Sequence, residues 1–159
     1  MKQREWIRDA GLFALRLCGL GFAVLHGWDK VVALSSQGAE AGIVGSAERL
    51  GFPLPLVFAW AAALAEFGGG LLVAIGLFTR VAAAFAAATM FVAAFLRHRL
   101  AQHVLVWLGA LEVAPETVDK WGNPELAAVY LAVFLALALM GGGRLSIDRF
   151  LRRSGGRRA

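Results

Sequence analysis

Apolar residues dominate four separate stretches of the chain, and within each stretch they run continuously instead of alternating with polar residues. The stretches cover residues 10–28, 54–78, 81–96 and 126–142. A hydrocarbon core of about 30 Å needs roughly 20 apolar residues per helix, so each stretch approaches or reaches the length of a membrane span. Continuous apolarity favours helices over the alternating strands of a membrane barrel. The pattern predicts an all-α, integral membrane four-helix bundle.

The segments between these stretches are too polar or too short to cross a bilayer. Residues 31–53 mix Ser, Gly, Glu and Arg and run into "GFPLP" at residues 51–55, whose prolines fit the start of the second helix. We interpret this segment as an outside loop that can carry a short surface helix. Residues 97–125 contain the short apolar run "VLVWLGALEV", with Trp107 and Trp121 as anchors, and we interpret them as an interfacial or re-entrant piece. Only "TR" links the second and third spans, which predicts a tight helical hairpin.

Composition agrees with a membrane protein. Of the 159 residues, 59% are hydrophobic and 17% are charged, and the mean hydropathy is +0.67. No repeat or second domain is visible, so we interpret residues 1–159 as a single membrane domain. The single cysteine, Cys18, lies inside the first span, which excludes a dithiol-exchange oxidoreductase that works through its own cysteines.

Basic residues collect on one predicted side of the membrane. They stand before the first span (Lys2, Arg4 and Arg8), in the short hairpin (Arg80) and in the basic tail 144–159, which holds six arginines. An even number of spans places all of them on the same side, and the positive-inside rule makes that side cytoplasmic. We therefore predict a multi-pass protein of the bacterial inner membrane with both termini cytoplasmic. "VLHGWDK" offers no cleavage site for a signal peptidase, so the first stretch is kept as a helix.

The net charge of +5 would also suit a nucleic-acid partner. Most of the excess lies in the tail, beside a predicted span, where anionic lipids are the nearest partner. We therefore expect the lipid bilayer, with anionic lipids at the basic tail, and no nucleic acid.

One carboxylate stands in the middle of the second predicted span, in the stretch "LAEFGGGLLVAIG". Glu66 lies eleven residues, about 16 Å, from the outer end of its helix, and Arg16 lies eleven residues from the predicted outer end of the first helix near Gly27. An unpaired ion at the bilayer centre costs at least roughly 3 kcal/mol. We therefore predict that Arg16 and Glu66 pair between the first two helices. Both are candidate catalytic residues, with Glu66 as proton carrier and Arg16 as the charge that tunes it.

The neighbouring positions predict a polar pocket along the same seam. Residues of the second span at alternating spacings of three and four are nearly all small, which lets helix backbones approach closely. These residues are Ala59, Ala62, Glu66, Gly69, Val73 and Gly76. The same spacings align a polar stripe on the first helix: Arg16, Gly19, Ala23, His26 and Lys30. We expect His26, Lys30 and Gly69 to line a pocket that opens toward the outer leaflet.

Two other interpretations concern the same polar residues. A buried ion pair can serve only to lock two helices together, with a net stabilisation near zero. His98 and His103 could be metal ligands, but their spacing of five misses the i, i+4 geometry of two ligands on one helix. We predict no metal site.

Four motifs together resemble the DoxX family of small four-helix bacterial membrane proteins. They are "LRLCGLGFAVLHGWDKV", "GFPLP", "AEFGGGLLVAIGLFTRVAA" and "GNPELAAVYLAVFLALALMGGGRLSID", and the resemblance covers residues 12–150. Carried over residue by residue, the resemblance implies roles for Arg16, His26, Gly27, Lys30, Glu66, Gly69, Gly143, Ser146 and Asp148.

The resemblance implies a membrane subunit of a quinone-linked redox complex, or of an assembly that handles oxidative stress and sulfur compounds. A quinone would suit the predicted pocket, because Arg16, His26 or Lys30 could donate to its carbonyl oxygens and Glu66 could relay a proton. No motif for haem, flavin or nucleotide is recognisable, so a soluble redox partner is implied. The alternative is a non-catalytic membrane scaffold, chaperone or small-solute carrier, and the sequence leaves open whether the protein is an enzyme.

Overall fold

The computed structural model describes residues 2–155, and this part of the chain is helical with no strand. Its α-helices are α1 (Lys2–Phe22), α2 (Trp28–Gln37), α3 (Gly42–Arg49), α4 (Pro55–Ile75), α5 (Thr79–Phe91), α6 (Leu100–Trp107), α7 (Pro115–Trp121), α8 (Glu125–Met140) and α9 (Ile147–Gly155). Two π-helical segments, Ala23–Gly27 and Val92–Arg97, follow α1 and α5 without a break. The predicted all-α class is confirmed. Of the predicted basic tail, Arg157 and Arg158 lie outside the described residues.

Within the described residues, three continuous helices are long and apolar enough to cross a membrane. They are Gln3–Glu40, Pro55–Ile75 and Thr79–Arg97. A fourth crossing results if α7 and α8, which meet at a bend of 42°, are taken as one span. The predicted second, third and fourth spans agree with α4, with α5 plus its π-segment, and with α8 to within three residues at each end.

The first helix is much longer than predicted. It runs from α1 through the π-segment Ala23–Gly27 into α2, so the predicted outer end near Gly27 is wrong. The start of the predicted outside loop, residues 31–37, is helical and continues the first helix. Leu34 is buried and packs with Ala59 and Ala63 of α4. This tertiary contact outweighs the polar composition of the segment.

The four long helical units enclose the main core, and a second cluster at Leu34, Val44 and Ala59 lies between α2, α3 and α4. α4 packs between α1 and α5, α5 packs against α8, and α8 also contacts α1. Small residues on α5 allow the close approach, and large side chains from the other helices fill the remaining space. The buried set includes Phe22, Val73, Ala83, Ala86, Phe134 and Leu137.

Helix ends follow local sequence signals. α4 begins with Pro55 at its first position, where the missing N–H costs nothing, and ends at Gly76, whose φ of 74° suits a glycine. Only residues 76–78 separate α4 from α5, so the predicted tight hairpin between the second and third spans is confirmed. The predicted linker "TR" is wrong, because Thr79 and Arg80 already belong to the first turn of α5.

Large apolar side chains cover the outer faces of the long helices. Leu17, Leu64, Phe85 and Leu135, one from each of α1, α4, α5 and α8, are all largely exposed. A continuous exposed apolar surface of this kind marks contact with hydrocarbon.

The helical bundle has two ends, which we call the tail end and the loop end. The tail end contains the start of α1, the α4–α5 connection and residues 141–153. The loop end contains α2, α3 and residues 98–124.

Candidate functional site

Buried charged side chains occur at two separate places in the described structure. Arg16 is buried beside the tail end, where Asp9 is also buried, and Glu66 is buried toward the loop end. A charge removed from water needs a compensating partner, so the contacts of each group decide what it does.

The predicted Arg16–Glu66 pair is wrong. Arg16 instead donates from Nη1 to the backbone carbonyls of Gly142 and Leu145, at 2.8 and 2.7 Å, and from Nη2 to the carbonyl of Ala74, at 3.2 Å. Ala74 lies in the last turn of α4, and Gly142 follows the end of α8. Arg16 therefore caps two helix C-termini, whose free carbonyls and dipoles favour a cation. These contacts are structural, since they tie the ends of α4 and α8 to the first helix.

The register of the helices explains why the two charges miss each other. A methyl group at Gly27 would lie 2.4 Å from the backbone nitrogen of Phe67, so Gly27 of the first helix lies beside Glu66 and Phe67 of α4. Arg16 lies beside Gly76, where its Nη1 would be 2.8 Å from an added methyl group. Gly76 is ten residues beyond Glu66, or roughly 15 Å along the helix. The prediction placed Arg16 at the same membrane depth as Glu66 because it took Gly27 as the outer end of the first helix, which in fact continues to Gln37.

Lys30 takes the place predicted for Arg16. Its Nζ lies 2.5 Å from both carboxylate oxygens of Glu66. The Glu66 side chain is 3% exposed, whereas the Lys30 side chain is 34% exposed. The pair therefore has a buried anion inside the helices and a cation that reaches toward the loop end.

A cavity of about 200 Å³ lies directly beside this pair. We call it the loop-end cavity. Side chains from all four long helical units and from the loop end line it: Phe22, His26, Lys30, Glu66, Met90, Ala93, His98, Asn123, Leu126, Ala127 and Tyr130. Sites that enclose drug-sized ligands measure about 300–1,000 Å³, so this cavity suits a head group or a small molecule.

Several polar atoms face the loop-end cavity. The rings of His26 and Tyr130 meet edge to face, with centroids 5.8 Å apart. Neither side chain forms a hydrogen bond with another described residue, and neither has a polar atom fully shielded from solvent. The imidazole and the phenol therefore keep their hydrogen-bonding capacity for a guest molecule.

His98 and His103 bind backbone, although the metal interpretation would have paired them as ligands. Nδ1 of His98 donates to the carbonyl of Trp121 at 2.9 Å, and Nε2 of His103 donates to that of Gly122 at 3.1 Å. They hold the α7–α8 connection over the cavity. Within residues 2–155, no group of three or more His, Cys, Asp or Glu side chains is arranged to hold a metal ion.

Both π-helical segments border the loop-end cavity. His26 belongs to Ala23–Gly27, and Ala93 belongs to Val92–Arg97. A π turn holds more residues than an α turn, so Phe22, His26 and Lys30, spaced four apart, remain on the cavity face. π-helical segments are rare and occur frequently at functional sites.

Gly69 does not line the cavity as predicted. It faces α5, where an added methyl group would lie 3.4 Å from the carbonyl oxygen of Ala82. The close contact with the first helix is made by Gly70, whose backbone abuts Gly19. Other members of the predicted stripe do face the first helix, since Val73 lies beside Gly19 and Gly76 lies beside Arg16. Gly69 departs from the stripe and serves helix packing against α5.

The tail end holds a second polar network, around Asp148. Its carboxylate accepts hydrogen bonds from the N–H of Phe78 at 2.7 Å, from the N–H of Thr79 at 2.9 Å and from the Thr79 hydroxyl at 2.7 Å. Asp148 thereby caps the N-terminus of α5 from a distant part of the chain. Burial raises the pKa of this carboxyl, but the bonds from Thr79 and Phe78 and the charge of Arg152 outweigh it, and the pKa lies below its ordinary value.

Sequence reasoning missed Tyr130, His98 and Asn123 as lining residues of the cavity. Tyr130 is the single tyrosine of the chain and interrupts an apolar helix, which was an available signal. His98 and Asn123 reach the cavity only because the chain returns over it after α5, and no spacing in the sequence encodes that return. His26 and Lys30 do line the cavity.

Comparisons with known proteins agree with the motif resemblance. The DoxX family model matches residues 11–99, more than half of the chain and including Arg16, Lys30 and Glu66. The inner membrane protein YqjF of Escherichia coli K12 is 30% identical over 147 residues, which cover 92% of this chain and 96% of that protein. The inner membrane protein YphA of the same organism is 27% identical over 142 residues, covering 89% and 91%. No solved structure matches the chain significantly. The chain therefore belongs to the DoxX family and is a multi-pass protein of the bacterial inner membrane.

Proposed function

We propose that the loop-end cavity binds the head group of a quinone and that the protein is a membrane subunit of a quinone-linked redox complex, of the kind that handles oxidative stress or sulfur compounds. The observation that carries the proposal is the combination of a buried ion pair, Lys30 with Glu66, and two uncommitted polar side chains around one small cavity. Ionisable groups inside a membrane mark sites of binding or proton transfer by default.

The chemistry divides between binding and proton supply. A quinone has two carbonyl oxygens, and the ammonium of Lys30, the phenol of Tyr130 and the imidazole of His26 are donors at the cavity wall. Reduction of a quinone to a quinol takes up two electrons and two protons. Glu66 passes the two protons on one after the other, each taken from water at the loop end, and Lys30 favours its ionised form between the two transfers. Electrons come from a soluble partner subunit, since the chain has one cysteine and no dithiol.

The proposed arrangement in the membrane is a four-helix bundle with both termini in the cytoplasm. Support comes from the tail end, where Arg8, Arg80 and Arg144 lie together although they belong to different parts of the chain. The positive-inside rule favours the cytoplasm for such an end. The basic tail contacts anionic lipid there, and the polar cavity opens toward the opposite face.

The alternative function is that of a non-catalytic membrane scaffold, chaperone or small-solute carrier. One observation favours it: Lys30 bonds to both oxygens of Glu66, so the pair is complete without a ligand. In that case the pair orders the first helix against α4, and the cavity is a consequence of packing.

Bound quinone in the purified protein separates the two functions. The protein is extracted from bacterial membranes in mild detergent, and quinone is quantified per chain for the wild type, Glu66→Gln and Tyr130→Phe. Glu48→Gln is the matched control, because Glu48 is an exposed carboxylate on α3, away from the cavity. Thermal unfolding of each variant reports whether it is folded.

We expect near-stoichiometric quinone in the wild type and in Glu48→Gln, and strong depletion in folded Glu66→Gln and Tyr130→Phe. A wild type without quinone, which also takes up none from added quinone, would reject the redox function. Equal quinone content in all four proteins would show that the quinone binds somewhere other than the loop-end cavity.

A further inference from the structure

Five arginines surround a second cavity, at the tail end, which the proposed quinone function does not use. The cavity measures about 390 Å³. We call it the tail-end cavity. The arginines come from distant parts of the chain: Arg8 from α1, Arg80 from the first turn of α5, Arg144 from the segment after α8, and Arg149 and Arg152 from α9.

Protein groups contact three of these arginines, of which Arg8 has its Nη2 3.5 Å from Oδ1 of Asp9. Arg80 and Arg144 are held more firmly. Arg80 donates from Nη2 to the carbonyl of Leu139 at 2.6 Å, beside the end of α8. Arg144 bridges Glu5 at 2.7 Å and Asp9 at 3.6 Å. Both guanidinium groups keep further N–H donors, because each carries five and these contacts use only some of them. Arg80 and Arg144 are therefore held in position on the cavity wall with N–H donors to spare.

Arg149 and Arg152 remain uncommitted. Their guanidinium groups make no hydrogen bond and no ion pair with any residue in the described range. Asp148 is the single carboxylate in the lining, and it is engaged by Phe78 and Thr79 at the start of α5. The cavity therefore keeps an excess of positive charge and of free donors.

We propose that the tail-end cavity binds a phosphate group. Guanidinium groups bind phosphate oxygens in a bidentate manner, and several of them converge here on one space. This differs from general attraction of the basic tail to a charged surface, because it requires particular arginines at a particular place.

The surroundings favour the head group of an anionic phospholipid as the source of the phosphate. On α9, Ile147, Phe150 and Leu151 are exposed apolar residues, while Arg149 and Arg152 line the cavity. Such a helix lies in the plane of the membrane interface. Leu139 and Met140 at the end of α8 are also exposed, so acyl chains have an apolar path beside the cavity.

The test uses the full chain in a non-ionic detergent and two double variants. Arg149→Gln/Arg152→Gln removes two charges from the cavity without breaking any side-chain hydrogen bond or ion pair described above, and the interaction it removes is the attraction between the charges of Arg152 and Asp148. Arg4→Gln/Arg153→Gln removes two charges from exposed residues at the same end that do not line the cavity. Each protein is titrated with short-chain phosphatidylglycerol, with phosphatidylcholine of equal chain length, and with inorganic phosphate. Binding is measured by native mass spectrometry and by the shift in the unfolding midpoint.

We expect saturable binding of phosphatidylglycerol by the wild type and by Arg4→Gln/Arg153→Gln. The dissociation constant should rise at least about tenfold in Arg149→Gln/Arg152→Gln, which corresponds to about 1.4 kcal/mol. Preference for phosphatidylglycerol over phosphatidylcholine, without competition by inorganic phosphate, assigns the site to a lipid head group. Competition by inorganic phosphate assigns it to a free phosphate. Equal losses in both double variants, or no saturable binding of either anion, would overturn the proposal.

Discussion

The first helix carries two cations that face the bundle interior, and the structure treats them in opposite ways. Arg16, near the tail end, is 2% exposed and is surrounded by carbonyl oxygens of the backbone. Lys30, near the loop end, pairs with one carboxylate and keeps a third of its side chain exposed beside a cavity. A cation enclosed by backbone holds the fold together, whereas a cation that shares a cavity with a single anion is free to interact with a guest.

The chemistry of the side chains suits this division. Arginine presents a rigid fork of five N–H donors, which can reach carbonyls of two chain segments at once. Lysine carries a compact charge on a flexible stem, and it can leave its partner without disturbing the backbone. Four predictions, in order of decreasing effect, test this difference.

Loss of Arg16 should be the most damaging single change. Arg16→Met leaves the carbonyls of Gly142, Leu145 and Ala74 without their donor. We expect the free energy of unfolding to fall by about 3–5 kcal/mol, because each stranded carbonyl costs about 1–3 kcal/mol. Arg16→Lys should recover only part of this loss, since one ammonium cannot span the same acceptors. Unfolding in detergent measures the effect, and an unchanged midpoint for Arg16→Met would contradict the structural role.

The two halves of the loop-end pair should respond unequally. Lys30→Met leaves a buried carboxylate without a partner, and we expect a loss of about 2–3 kcal/mol, below the value for a fully dry pair. Glu66→Gln should cost only about 1 kcal/mol, because Lys30 is exposed enough to turn toward water. The double variant Lys30→Met/Glu66→Gln should be more stable than Lys30→Met alone. Equal losses for the two single variants would argue against this asymmetry.

The close contact of the two helices should matter more at the loop end than at the start of α1. Gly27→Ala places a methyl group against the backbone of Phe67, and we expect a loss of about 1–2 kcal/mol together with a displaced Lys30–Glu66 pair. Gly11→Ala is the control on the same helix, where no atom lies within 4 Å of the added methyl group. It should be neutral or stabilising, because alanine favours helix. The same thermal unfolding assay compares the two.

The hydrogen bonds that Asp148 accepts at the start of α5 should make the stability of the folded chain depend on pH in the acid range. Its pKa is lower in the folded chain than its ordinary value of 3.8, so its full stabilising effect is present above that value and is lost as the pH falls through the folded pKa. Asp148→Asn should cost about 1 kcal/mol at neutral pH, because the amide keeps one acceptor oxygen but loses the second oxygen and the charge that Phe78 and Thr79 now bind. It should also flatten the decline in unfolding midpoint below pH 4.

The control for this prediction is Asp29→Asn, a substitution of an exposed carboxylate on α2 at the loop end. It should leave both the neutral-pH stability and the acid decline close to those of the wild type. An Asp148→Asn variant with the acid profile of the wild type would show that another group causes the decline.

Much of the fold could be predicted from local composition. The second, third and fourth apolar stretches matched α4, α5 with its π-segment, and α8 closely, because hydrocarbon length and continuous apolarity act on each segment separately. The end of the first helix was mispredicted, because Leu34 is ordered by packing on α4 rather than by its neighbours in sequence. That single error of length moved the expected partner of Glu66 from Lys30 to Arg16.

The sequence by itself determined that this chain is helical and membrane-embedded, that it has the motifs of its family, and that a charged seam joins its first helix to α4. These properties depend on the hydropathy and spacing of residues within one segment. Only the tertiary structure decided which charge meets which, and that Tyr130 and His98 face the same cavity as Glu66. Those contacts join residues that lie far apart in the chain. The register of one helix against the next depends on where glycines let the backbones touch, as Gly27 does beside Phe67. No local sequence pattern specifies that register.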